Sequence, residues 1–131
     1  MGFFSKLFKH TKDLNKVTGA AELAISYLSL YEKGNDFDNL CAAAWIIRVG
    51  VLDIIEENNW QPSFNIAITI DGRTTLTTVM MLRKLTYGRV LDFVESLTLM
   101  EQNIINSIFN KGKFFYNIES RMPEEVVDKI K

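Results

Sequence analysis

Between Asp36 and Asn59 the chain reads DFDNLCAAAWIIRVGVLDIIEENN, with no proline to interrupt a helix. At about 100° per residue, Leu40, Ala43, Ala44, Ile47, Val51, Ile54 and Ile55 fall on one broad apolar stripe. Trp45, Leu52 and Cys41 widen that surface on the far side of Arg48, and Asp53, Glu56 and Glu57 mark the wet side. The pattern predicts a central helix over about 36–58, packed by neighbours on several sides. Asn35, Asp36 and Asp38 supply oxygens for its free N-terminal N–H groups. Ala43 and Gly50 lie one above the other and leave room for a second backbone, although Gly costs a helix about 1 kcal/mol relative to Ala.

The flanking pattern supplies further elements. Residues 2–17 place Phe3, Phe4, Leu7 and Phe8 on one helical face, interleaved with Lys6, Lys9, Lys12 and Lys16. Residues 18–33 continue the spacing through Ala21, Ala24, Ile25, Leu28 and Tyr31, continuous or kinked at Gly19, with Gly34 as the stop. Trp60 and Pro62 fall in a loop. From residue 64 to 78, Ile66, Ile68 and Ile70 alternate with Ala67 and Thr69, and Asp71-Gly72 is a type I′ turn dipeptide. The reading favoured is a short β-hairpin pairing Ile70 with Arg73 and Ile68 with Thr75; the alternative is a helix starting near Thr74 or Thr75. A second helical region spans 79–110 with a break near Gly88, residues 113–122 read as extended or turn, and 123–131 read as a last helix with Pro123 at its first position. The fold expected is mainly α: a bundle of four to six helices around the central one, with a short hairpin, in a single domain over 1–131. The alternative class is α+β.

Composition narrows the class. The chain is 47% hydrophobic and 24% charged, an ordinary globular balance, and its net charge of −1 gives no reason to expect nucleic acid. The four lysines of residues 1–16 against Asp13 give that segment +3 and leave −4 for the rest. A basic helix with Phe3, Phe4, Lys6, Leu7, Phe8 and Lys9 can dock on the domain, or contact an anionic membrane surface or a partner. No stretch is long and apolar enough to predict a membrane span, and no secretory signal is evident. The single Cys41 rules out an internal disulfide and a Cys-rich zinc site, and fits a reducing compartment. The location expected is cytoplasmic, with peripheral membrane contact through residues 2–17 as the alternative.

Candidate chemistry is sparse. His10 is the one histidine, and there is no phosphate loop, HExxH or EF-hand motif. Cys41 on an apolar helix face reads as a small hydrophobe, not a nucleophile. Carboxylates are the remaining catalytic supply. Asp53, Glu56 and Glu57 share one patch, and Asp92 and Glu95 another; facing one another they could hold Mg²⁺. That is similar in kind to all-helical nucleotide pyrophosphatases, although the DxxEE and DxxE order and gap differ from theirs. Arg48 breaks the pattern most sharply. Ordinary helix spacing gives it no carboxylate on its own helix, so the expectation is snorkelling, an acid on another helix, or an anion-binding role beside Trp45. Trp60 reads as a plug over the core end or a binding aromatic. Met80, Met81 and Met100 read as core filler or an adaptable surface.

These features favour a non-enzymatic helical interaction module: an adaptor, inhibitor or regulatory protein that binds a protein partner or itself, with no cofactor. Arg48, Trp45 and Trp60 are its candidate partner- or anion-binding residues. The alternatives are a Mg-dependent nucleotide hydrolase using the helix carboxylates, and a small-ligand or lipid-binding helical protein.

Overall fold

The computed structural model describes the backbone of residues 3–131 and the side chains of residues 11–131. Its main helix pair is α1 (Phe3–Gly34) and α2 (Phe37–Ile47). Gly19 leaves α1 unbroken. The reversal between the two helices takes only Asn35 and Asp36. Asn35, not Gly34, is the left-handed residue that closes α1, at φ 56°, with its N–H on the Tyr31 carbonyl at 2.7 Å. Asp36 caps α2 by accepting from the Asp38 N–H at 3.0 Å. Asn therefore does the work expected of glycine, because its short polar side chain tolerates αL.

The central helix runs as its apolar stripe predicts, with one addition. After α2 it widens into a π-helical turn, Arg48–Leu52, and then continues as α3 (Asp53–Asn58). Every residue from Leu40 to Ile47 is buried, as are Val51, Ile54 and Ile55. Gly50 faces α1. A Cβ built on it would overlap the Ala20 methyl and lie 3.2 Å from Ile130 Cγ2. The absent side chain is what lets the π turn touch α1 and the C-terminal helix.

The hairpin forms with the expected register. β1 (Asn65–Ile70) and β2 (Arg73–Thr78) are antiparallel, with Ile70 opposite Arg73 and Ile68 opposite Thr75. Asp71 and Gly72 both have positive φ, 52° and 78°, as a type I′ turn requires. Ile66 and Ile68 face the core.

Thr78 then caps α4 (Val79–Arg83), its hydroxyl accepting from the Met81 N–H at 3.2 Å. A second π turn, Lys84–Gly88, carries the helix into α5 (Arg89–Val94). The break expected at Gly88 is therefore absorbed, and the true interruption falls at residues 95–98. There Thr98 and Glu101 form a reciprocal capping box that starts α6 (Leu99–Phe109). The extended reading of 113–122 is wrong: Lys113–Arg121 is a helix, α7. Phe114, Phe115 and Ile118 are spaced for one helical face, and Phe115 and Ile118 are buried. The Ser107 hydroxyl takes the free Phe114 N–H at 3.1 Å. α8 (Glu124–Ile130) follows, with Pro123 as its cap and not its first residue.

Candidate functional site

The α3 helix ends at Asn59, whose φ of 51° turns the chain back on itself. This brings the Trp60 N–H onto the Ile55 carbonyl at 3.2 Å and lays the indole along the molecule, only 9% exposed. Trp60 stacks on Phe64, ring centroids 5.2 Å apart and planes 10° from parallel. The loop is pinned to the start of α4 by two backbone bonds. The Pro62 carbonyl accepts from Met80 at 3.0 Å, and the Phe64 carbonyl accepts from Val79 at 2.9 Å.

Between this loop and the α4 helix lies an open cleft of about 400 Å³. Trp60, Pro62 and Val79 line one part of it, and Met80, Arg83, Lys84, Tyr87 and Gly88 the other. The helix residues recur at i, i+3/i+4 and i+7, the stripe that one helical face presents. Tyr87 is held from behind by Phe109, edge to face at 4.8 Å. Thr86, buried next to it, satisfies its hydroxyl on the Leu82 carbonyl at 2.8 Å. Among the described residues, neither Arg83 nor Lys84 has an acidic partner within ion-pair distance. No lining residue carries a carboxylate, thiol or imidazole. The cleft is thus apolar in its floor and positive at its rim.

Trp60 and Met80 were visible in the sequence as candidates; Arg83, Lys84 and Tyr87 were not. The available signal was their helical spacing from Met80, obscured because Trp60 comes from a distant loop.

Arg48 has a different outcome from the one expected. Its Nε and Nη2 donate to Asp53 Oδ1 at 3.0 and 2.7 Å, and Nη2 also reaches Glu56 Oε2 at 2.9 Å. Both acids are on its own continuous helix, so the expectation of no partner there fails. The π turn between them supplies an i, i+5 alignment that a regular α-helix lacks. Nη1 donates to the Phe109 carbonyl at 3.3 Å, and Lys111 takes the other Asp53 oxygen at 2.7 Å. Burial pulls the guanidinium pKa down, but the hydrogen bonds and charge of Asp53, then of Glu56, outweigh it and the net shift is upward.

Trp45 is fully buried, its indole N–H on Glu119 Oε2 at 3.2 Å, and it does not line the cleft. Cys41 is buried beside it in α2, its thiol pushed up to about 12 by burial and then by Asp38. It is a protonated core group at neutral pH. The carboxylates do not assemble. Asp53 is held by two cations, while Asp92 on α5 and Glu95 just past its end stand exposed. Among the described residues no cluster of three or more His, Cys, Asp or Glu is placed to hold a metal ion, so the Mg²⁺ reading with Asp53, Glu56, Glu57, Asp92 and Glu95 has no geometry behind it. Phe3, Phe4, Lys6, Leu7, Phe8, Lys9 and His10 lie outside the described side chains. Among the described residues no helix is long and apolar enough to cross a membrane.

Comparison with family models, with curated proteins and with solved structures returns no match.

Proposed function

We propose that this chain is a non-enzymatic interaction module, and that the cleft between the Trp60 loop and α4 receives an apolar peptide segment bearing an acidic residue. The observation that carries the reading is the pairing of an apolar, aromatic-lined floor with two cations, Arg83 and Lys84, that have no acidic partner among the described residues. Sites that recognise ligands combine apolar area with a few polar groups that fix orientation, and about 400 Å³ is the lower part of that size range. Trp60 and Tyr87 give rigid contact area at low entropic cost, and Met80 adapts to the shape of what enters. An adaptor, inhibitor or regulatory role fits such a surface better than catalysis does, because the lining holds no thiol, carboxylate or imidazole to pair with Lys84 or Tyr87.

Selection of random heptapeptides displayed on phage tests the reading. Enriched sequences are expected to combine one or two large apolar residues with Asp or Glu. Their binding is expected to fall at least tenfold in Arg83→Glu/Lys84→Glu, the scale of about 1.4 kcal/mol or more. Trp60 fluorescence reports occupancy, with the buried Trp45 as a constant background. Enrichment without acidic residues, or binding indifferent to the double reversal, defeats the proposal.

A further inference from the structure

The hairpin has two edges, and they are treated differently. Its two-residue turn makes Ile70/Arg73, Ile68/Thr75 and Ile66/Thr77 the pairs that exchange backbone bonds across the hairpin. The alternate pairs, Thr69/Thr74 and Ala67/Leu76, turn their backbone groups outward. On the β1 side, α1 meets them: Thr18 Oγ1 donates to the Ala67 carbonyl at 2.9 Å, and the Thr69 N–H donates to Glu22 Oε1 at 2.9 Å. On the β2 side, Thr74 and Leu76 are exposed, Leu76 to 68%, and their outward groups have no partner among the described residues. A bare edge of threonines around one exposed leucine is a template for another strand.

We infer that this edge pairs with a second copy of the chain, β2 against β2 in antiparallel register about a two-fold axis at Leu76. The sequence of the edge is the argument for that occupant. Residues 74–78 read Thr-Thr-Leu-Thr-Thr, the same in both directions. Antiparallel pairing centred on Leu76 sets leucine against leucine and threonine against threonine at every position. Cross-strand threonine pairs are favourable. Arg73, the one charge in the strand, then falls beyond the paired stretch, opposite the point where the second copy's β2 has ended and α4 begun, so no like charges meet. The contact is isologous: each copy offers the same patch to the other. Because α1 already occupies the β1 edge, the sheet stops at four strands. The inference does not depend on the cleft, which none of residues 74–78 lines.

Sedimentation equilibrium of the full chain from 5 to 500 µM tests it, with a 15.0 kDa monomer as reference. The wild-type chain is expected to reach twice that mass, and Leu76→Lys, which sets two like charges on the axis, to weaken the dimer at least tenfold. A second variant keeps the test decisive if Leu76→Lys misfolds. The two Leu76 Cα atoms of a bonded antiparallel pair lie about 5.5 Å apart, within disulfide reach. Leu76→Cys in a Cys41→Ala background is therefore expected to oxidise to a covalent dimer, whereas Asp71→Cys in the same background is not. A chain that stays monomeric at 500 µM, a dimer untouched by Leu76→Lys, or a Leu76→Cys chain that cross-links no better than Asp71→Cys overturns the inference. Arg83→Glu/Lys84→Glu is expected to leave the mass unchanged, which separates this seam from the cleft.

Discussion

Arg48 sits in a buried-looking stripe, yet the side chain is satisfied four times over, by Asp53, Glu56 and the Phe109 carbonyl. Replacing it removes the donor for that carbonyl and leaves Asp53 with Lys111 alone. Arg48→Ala is expected to cost about 2 kcal/mol, read as a lower urea midpoint, because the remaining groups lose bonds in a partly dry site. Asp53→Asn keeps the shape and is expected to cost less. A cost under ~0.5 kcal/mol for Arg48→Ala would show that water replaces the network freely. The oddity of Arg48 was plain in the sequence, but its resolution was not. A wheel drawn at regular helical spacing sends Asp53 to another face, and only the extra residue of the π turn brings it back.

At the scale of elements, most of the fold was readable because apolar periodicity is a local property. The central helix, the hairpin register and the helix start at Val79 all follow from neighbours in sequence. What escaped were the boundaries decided by tertiary contact. The α7 helix looked extended because Phe114, Phe115 and Tyr116 form an aromatic run, and its helical state depends on burying Phe115 and Ile118 in this core. The Thr98-x-x-Glu101 box is a local start signal, but the apolar spacing on both sides of it reads as one helical region broken only near Gly88. Of the Ala43/Gly50 strip, Gly50 is a close approach in the structure, and its partner is Ala20. An alanine in a helix is ordinarily worth about 1 kcal/mol over glycine. At Gly50 the sign reverses: overpacking against α1 costs roughly 1–3 kcal/mol, so Gly50→Ala is expected to lower the melting temperature. Ala20→Gly in the same chain should recover part of that loss, since residues in contact are not additive. A Gly50→Ala chain at least as stable as wild type would mean the two helices can separate without cost.

For the molecule as a whole, the candidate cleft was only half legible, since it joins a loop at Trp60 to a helix face twenty residues later. The seam was present in the sequence as a threonine-rich arm, but its meaning needed the other edge to be seen occupied. Global stability should carry one clear pH signature. The Cys41 thiol is raised from 9.0 to about 12 in the fold, mainly by burial and next by Asp38. A raised pKa means the folded chain holds this proton where the unfolded chain has lost it. The contribution is therefore complete below about pH 9 and is lost as pH climbs towards 12. Wild type should lose stability relative to Cys41→Ala by about 1.4 kcal/mol per pH unit in that window, measured by paired urea titrations. Parallel pH profiles for the two chains would contradict a buried neutral thiol.

The two π turns also bear on which changes of length the chain can absorb. Each holds one residue more than a regular helical turn needs while the helix on either side stays in phase. Removing Val49 would let Arg48–Leu52 close into an ordinary α turn, with α2 and α3 still presenting the same stripe to the core. Removing Ala44 instead would rotate everything before or after it by about 100° and turn the stripe to water. The helices thus carry built-in slack at Arg48–Leu52 and Lys84–Gly88, where a single-residue deletion can pass through the fold as a change of pitch and not of topology.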